Sequence, residues 1–171
     1  MAKKLPRYWF HGDTAPRNGF LDQRWDRKRH ESSLNAEGPG IYFTESEEDA
    51  ESYGPHLYVA ELKPGFKFLP KRRPTVAFLR KLYIAASPED RELFLSNWDN
   101  MTVPRILEKY SHQLTMHDAA VSLYSDLIRD PAAWVYAMRE LGYDGHVVEH
   151  RYGARHLVVW NPNKITVREA Y

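Results

Sequence analysis

The chain has 171 residues, enough to bury one substantial core and too few for two of comfortable size, so a single domain is expected. Apolar residues make up 43% and charged residues 27%, and no apolar run approaches the roughly 20 residues that span a bilayer, so the composition is that of an ordinary soluble protein. Lysine and arginine number 24 against 23 aspartates and glutamates, a formal net charge of +1 that gives no global field for nucleic acid or acidic lipid; with no cysteine, disulfides, thiolate nucleophiles and sulfur-ligated zinc are excluded too.

The stretch from Met1 to Pro6 carries charge but leads into Arg7, Tyr8 and His11 instead of an apolar signal core, so a cytoplasmic location is expected. Residues 7–11, Arg-Tyr-Trp-Phe-His, crowd aromatics into a short run closed by Gly12-Asp13. They predict a strand whose alternation puts His11 on the face of Trp9, opposite Tyr8 and Phe10. From Asp13 to Gly40 the chain is polar, interrupted by Pro16, Gly19, Gly38, Pro39 and Gly40, and carries the basic cluster Arg24, Arg27, Lys28, Arg29 and His30. This reads as a long loop, solvated or in contact with phosphates.

Ile41-Tyr42-Phe43-Thr44 is the next predicted strand, and Ser46-Glu47-Glu48-Asp49 has the form of an N-cap followed by acids in a first helical turn. The helix is expected to run from about Glu47 to Tyr53, with Ala50 and Tyr53 on one face and Gly54 as its stop. Residues 57–62 alternate as a strand and Lys63-Pro64-Gly65 turns the chain. Residues 75–141 then place apolar side chains at helical spacing between Pro74, Pro88, Pro104 and Pro131, which predicts several helices ending at Gly142. The last thirty residues return to strand, as two hairpins in series with turns at Arg151-Tyr152-Gly153-Ala154 and Asn161-Pro162-Asn163. The class is therefore α+β.

In order, Tyr-Trp-Phe-His-Gly, Gly-Pro-Gly-Ile-Tyr-Phe-Thr with Tyr53 eleven residues after Tyr42, and Gly-Tyr-Asp-Gly before a hairpin ending in Leu-Val-Val-Trp-Asn-Pro resemble the ADP-ribosyltransferases of the diphtheria-toxin and poly(ADP-ribose)-polymerase branch. The resemblance covers about the first 65 and last 30 residues, and leaves 75–141 as a helical insertion. It implies a split antiparallel sheet with a short helix after the second strand, and an NAD site. Gly12 backbone would hold the carboxamide and His11 a ribose hydroxyl, Tyr42 and Tyr53 would enclose the nicotinamide ring, and Thr14 and Gly40 would lie beside the cofactor. Two phenol rings suit a flat cationic ring, through stacking and cation–π attraction.

The implied reaction breaks the nicotinamide–ribose bond and transfers ADP-ribose to a macromolecular target, a protein in preference to nucleic acid, without a metal or a membrane. Its transition state resembles an oxocarbenium ion, which a carboxylate stabilises. The position where the family carries that glutamate is His156 here, and an imidazole alone brings no negative charge. A turn centred on Tyr152-Gly153 sets Glu149 opposite His156, where it supplies the carboxylate, orients His156, or forms a surface ion pair of little consequence. Glu149 and His156 are thus the candidate catalytic residues of a mono-ADP-ribosyltransferase. Two other readings stay open: a binding module that has lost the chemistry, and an RNA 2′-phosphotransferase that uses Arg155 and His156. Asp144 is expected to bond its own backbone at a turn. His146 and His150 are four apart, but on a strand and without further ligands.

Overall fold

The computed structural model describes residues 4–16, 39–150 and 153–170. Within them lie two compact units, a sheet unit of residues 4–16, 40–68 and 143–170 and a mostly helical unit of residues 39 and 69–142. The order is β1 (Tyr8–Asp13), β2 (Ile41–Thr44), α1 (Glu47–Glu51), β3 (His56–Leu62), α2 (Val76–Ala85), α3 (Pro88–Ser96), α4 (Val103–Gln113), α5 (Met116–Asp126), α6 (Pro131–Glu140), β4 (Gly145–Val148), β5 (His156–Val159), a 3-10 turn (Pro162–Lys164) and β6 (Ile165–Glu169). The α+β class is the observed one, and no helix among the described residues is long and apolar enough to cross a membrane. The basic cluster Arg24 to His30 and the turn residues Arg151 and Tyr152 lie outside the described residues.

The six strands form one antiparallel sheet in the order β4-β5-β2-β1-β3-β6. Period-two alternation gives it one apolar face: Trp9, Phe43, Tyr58, Ala60, Leu157 and Val159 are all buried in the same core cluster. Trp9 and His11 lie opposite Ala60 and Tyr58, so His11 shares the core-facing side of β1 with Trp9, as the alternation predicts.

The first C-terminal hairpin forms as β4 and β5, but the second expected hairpin does not. β5 is already bonded to β2 on its other edge, and β6 instead pairs with β3, Leu62 opposite Ile165 through Tyr58 opposite Glu169. On a flat sheet β6 would lie four strand spacings from β5, about 19 Å. Only Trp160 to Lys164 connect them, and three of those residues are wound into the 3-10 turn. So short a link requires a curled sheet, in which Val147 and Leu157 join the same core as Ile165.

In the helical unit three of the four prolines of the predicted series start a helix, and Pro74 comes just before the cap residue Thr75. Pro88, Pro104 and Pro131 occupy first-turn positions, where a missing N–H costs nothing. Thr75, Ser87, Thr115 and Asp130 cap their helices through side-chain oxygens, and Gly142, at φ 87°, ends the last one. Leu79, Leu82, Phe94, Ile106, Leu123 and Trp134 are fully or almost fully buried. Tyr110 stacks beside Phe94 and donates to Asp126; burial, and then the Asp126 carboxylate, push its phenol up to about 12.

Candidate functional site

The site grows from a glycine. α1 lies so close over β1 that a Cβ on Gly12 would stand 1.9 Å from the Ala50 carbonyl oxygen, and Ala50 itself is fully buried. At the far end of α1, Gly54 adopts φ 156° and passes within 2.2 Å, measured from an added Cβ, of the Asp13 carbonyl. Any side chain at either position would lift the helix from the strand.

Ser46 caps α1 by accepting from the Asp49 N–H at 3.2 Å. In a reciprocal cap the acid at the third position would bond back to the N–H of the capping residue. Here Thr44 Oγ1 accepts that Ser46 N–H at 3.3 Å, and the Asp49 carboxylate turns to His156, with Oδ2 3.2 Å from Nε2. On its other edge His156 meets His150: Nδ1 is 3.2 Å from His150 Nε2, and the rings stand edge to face at 4.5 Å. A carboxylate and two imidazoles therefore form one hydrogen-bonded chain at the start of β5.

Glu149 is not opposite His156. The observed register sets Val148 against His156, one residue away from the expected pairing, and Glu149 is exposed beyond the end of β4. The cause lies at Arg155. Its backbone N–H and Nε donate to Glu45 at 3.0 and 2.9 Å, its carbonyl accepts from the Glu45 N–H, and its guanidinium also reaches the Lys4 carbonyl. These bonds tie Arg155 to the end of β2, and the β4–β5 pairing stops at Val148 opposite His156. Arg155 is buried, 2.7 Å from Glu45, so its charge is already committed.

Tyr42 lies opposite Val158, two residues from His156, so Tyr42 and His156 occupy the same sheet face. His11 occupies the other face. Its ring packs beside Phe43 and Tyr58 at 5.5 and 6.2 Å, with Nδ1 2.6 Å from the Tyr42 carbonyl oxygen and Nε2 3.8 Å from Asp13 Oδ2. Gly40 leads into β2, where a Cβ would strike the Val158 side chain at 2.2 Å. Thr14 is exposed, and its N–H donates to Asp13 Oδ1. Tyr53 falls beyond the end of α1, which stops at Glu51, and is 48% exposed where Ala50 is buried; the shared helical face expected for the two does not form. The structure thus brings Tyr42, Asp49, His156 and His150 to one side, with Gly12 beneath α1, and leaves His11 on the other.

Asp144 joins segments that are distant in sequence, where a bond to its own backbone was expected. Its carboxylate accepts from the Lys67 N–H and the Asn161 side-chain amide, each within 2.9 Å, and so fastens the start of β4. His146 is buried and stacked on Trp160 at 5.0 Å. Among the described residues no group of three or more His, Asp or Glu is arranged to hold a metal ion. Asp49 and His150 are the members the sequence reading did not bring to His156. The signal for Asp49 was the cap itself, because a third-position acid over a glycine-bearing strand faces the neighbouring strands.

No protein-family model matches the chain, and no curated protein is similar to it in sequence. Among solved structures it is similar to an anti-CRISPR protein. The identity is 15% over 95% of this chain and 93% of that one, with a TM-score of 0.38.

Proposed function

We propose that the chain is a mono-ADP-ribosyltransferase that takes NAD as co-substrate, breaks the bond between nicotinamide and ribose, and passes one ADP-ribose unit to a macromolecular target, a protein in preference to nucleic acid. The finer fold expectation, an ADP-ribosyltransferase arrangement of the sheet with an inserted helical block, belongs to the same proposal. The observation that carries it is the donor set at the start of β5: Asp49 and His156, 3.2 Å apart and partly exposed, on the face of Tyr42.

A ribose diol needs an acceptor and a donor side by side, which a carboxylate and an imidazole supply. Asp49 also brings the negative charge that His156 lacks at the position of the family's glutamate, and a carboxylate there favours a ribose that becomes cationic. In this reading Tyr42 and Tyr53 hold the nicotinamide ring, Gly12, Thr14 and Gly40 line the same region, and His11 clamps β2 to β1 through the Tyr42 carbonyl. Glu149 has no part in it. A phosphotransferase reading is not favoured, because Arg155 is spent on Glu45 and the Lys4 carbonyl.

The test is incubation of the purified protein with NAD labelled in its adenylate half and a cell lysate. Label transferred to a protein band, with no ladder of polymer, is expected. No labelled product together with no nicotinamide release overturns the reading in favour of a binding module.

A further inference from the structure

We propose that the exposed face of α2, with the segment that leads into it, is a docking surface for an acidic segment of a partner protein, a role that stands whether or not the chain transfers ADP-ribose. The sequence puts the charge there. Lys71, Arg72, Arg73, Arg80 and Lys81 lie within one short stretch, and no aspartate or glutamate occurs between Glu61 and Glu89, in a chain whose formal net charge is only +1. All five cations are exposed.

Helical spacing divides α2 into two sides. Phe78, Leu79 and Leu82 are buried, and α2 packs against α4 and α6. Ala77, Arg80, Lys81 and Ile84, three and four residues apart, share the exposed side. Side chains on a helix lean toward its N-terminus, so Arg80 and Lys81 reach back toward the end at which Arg72 and Arg73 enter. Ile84, 65% exposed, closes the face with an aliphatic side chain.

Arg72, Arg73, Arg80 and Lys81 form no ion pair with any described carboxylate. The Met116 N–H donates to the Arg72 carbonyl and brings the start of α5 alongside, but Asp118 there accepts from the Thr115 N–H and hydroxyl and closes its own capping box. α2 has no acid in its first turn either, so the positive end of its dipole adds to Arg72 and Arg73. Cations gathered at that end repel one another and the dipole, and bound carboxylates relieve both.

The guanidinium forks of Arg72, Arg73 and Arg80 suit carboxylates and phosphates alike, so the surroundings decide between a protein and a nucleic acid. Ala77, Ile84 and Ala85 fill the remaining exposed positions of α2, and none is aromatic, whereas single strands are held by stacking their bases on aromatic rings. Beyond Ile84 the charge reverses, because the first turn of α3 carries Glu89 and Asp90. A long phosphate backbone that follows α2 meets these acids. A short acidic segment ending in an apolar residue matches the cations and then Ile84.

The test titrates the full-length protein into a fluorescein-labelled peptide of glutamates followed by leucine, read by anisotropy at low and at physiological salt. Labelled single-stranded and duplex RNA of equal charge are run beside it. Two paired variants, Arg72→Gln with Arg73→Gln and Arg80→Gln with Lys81→Gln, change exposed side chains, and circular dichroism checks their fold. Arg129→Gln with Arg139→Gln removes the same charge from exposed positions outside this stretch. The expected result is peptide binding that weakens with salt, a loss of about 5-fold in each α2 pair, and a change of less than about 2-fold in the control. No binding by the wild type, an unchanged affinity in either α2 pair, an equal loss in the control, or tighter binding of either RNA than of the peptide overturns the proposal.

Discussion

Replacing Gly12 by alanine tests the seat on which the site is built. The added carbon would stand 1.9 Å from the Ala50 carbonyl oxygen and 2.9 Å from its carbon, both backbone atoms that no rotamer change can move aside. Restoring ordinary contact distances requires α1 to shift by more than about 1 Å relative to β1. Overpacking of that kind costs about 2 to 3 kcal/mol, or roughly 5 to 10 °C in the melting temperature of a chain this size. The same shift opens the 3.2 Å Asp49–His156 contact beyond hydrogen-bonding distance, so the change is felt twice, once in stability and once at the site. Thermal unfolding by circular dichroism reads the first effect, and histidine NMR at a temperature where the variant is folded reads the second. A Gly12→Ala protein that melts within about 1 °C of wild type, with its His156 resonances unmoved, refutes the packing argument.

Further consequences follow from the same contacts. Glu45→Gln leaves the Arg155 guanidinium buried opposite a neutral amide and is expected to cost about 3 kcal/mol, read as a lower urea midpoint with an unchanged slope. Tyr110 holds its proton up to about pH 12 when folded, whereas an unfolded tyrosine loses it near 10. The native state therefore binds the extra proton in that window, and stability falls as pH rises through it; Tyr110→Phe should flatten this alkaline decline in denaturant titrations. Tyr42→Ala removes one ring of the proposed nicotinamide sandwich and should weaken NAD binding about 3- to 10-fold by calorimetry, with little change in fold.

The strands that carry the candidate site were legible in the sequence because their signals are local. Trp9 and His11 alternate with Tyr8 and Phe10, and Ile41 to Thr44 follow a glycine and precede a serine cap, so β1, β2 and the start of α1 lie where the pattern sets them. Each helix of the 75–141 block opens at a threonine, serine or aspartate, and three of them have proline in the first turn. What escaped was long-range. β6 follows β5 closely in sequence, and a hairpin is the local solution, but β2 had already taken the free edge of β5. The register of the β4–β5 hairpin was read from its turn residues, whereas Arg155 is held by Glu45, which lies at the end of β2. The one-residue difference moved Glu149 away and let His150 approach. Asp49 carried a sufficient local explanation as a first-turn acid, and only the packing of α1 over Gly12 directs it to His156.

The most direct test of the account is nicotinamide release from NAD by the purified protein, compared between wild type and Asp49→Asn at matched concentration and pH. The account expects release by the wild type that rises when a protein target is added, and release about 100-fold slower in the variant. Release by neither protein, or equal release by both, contradicts it.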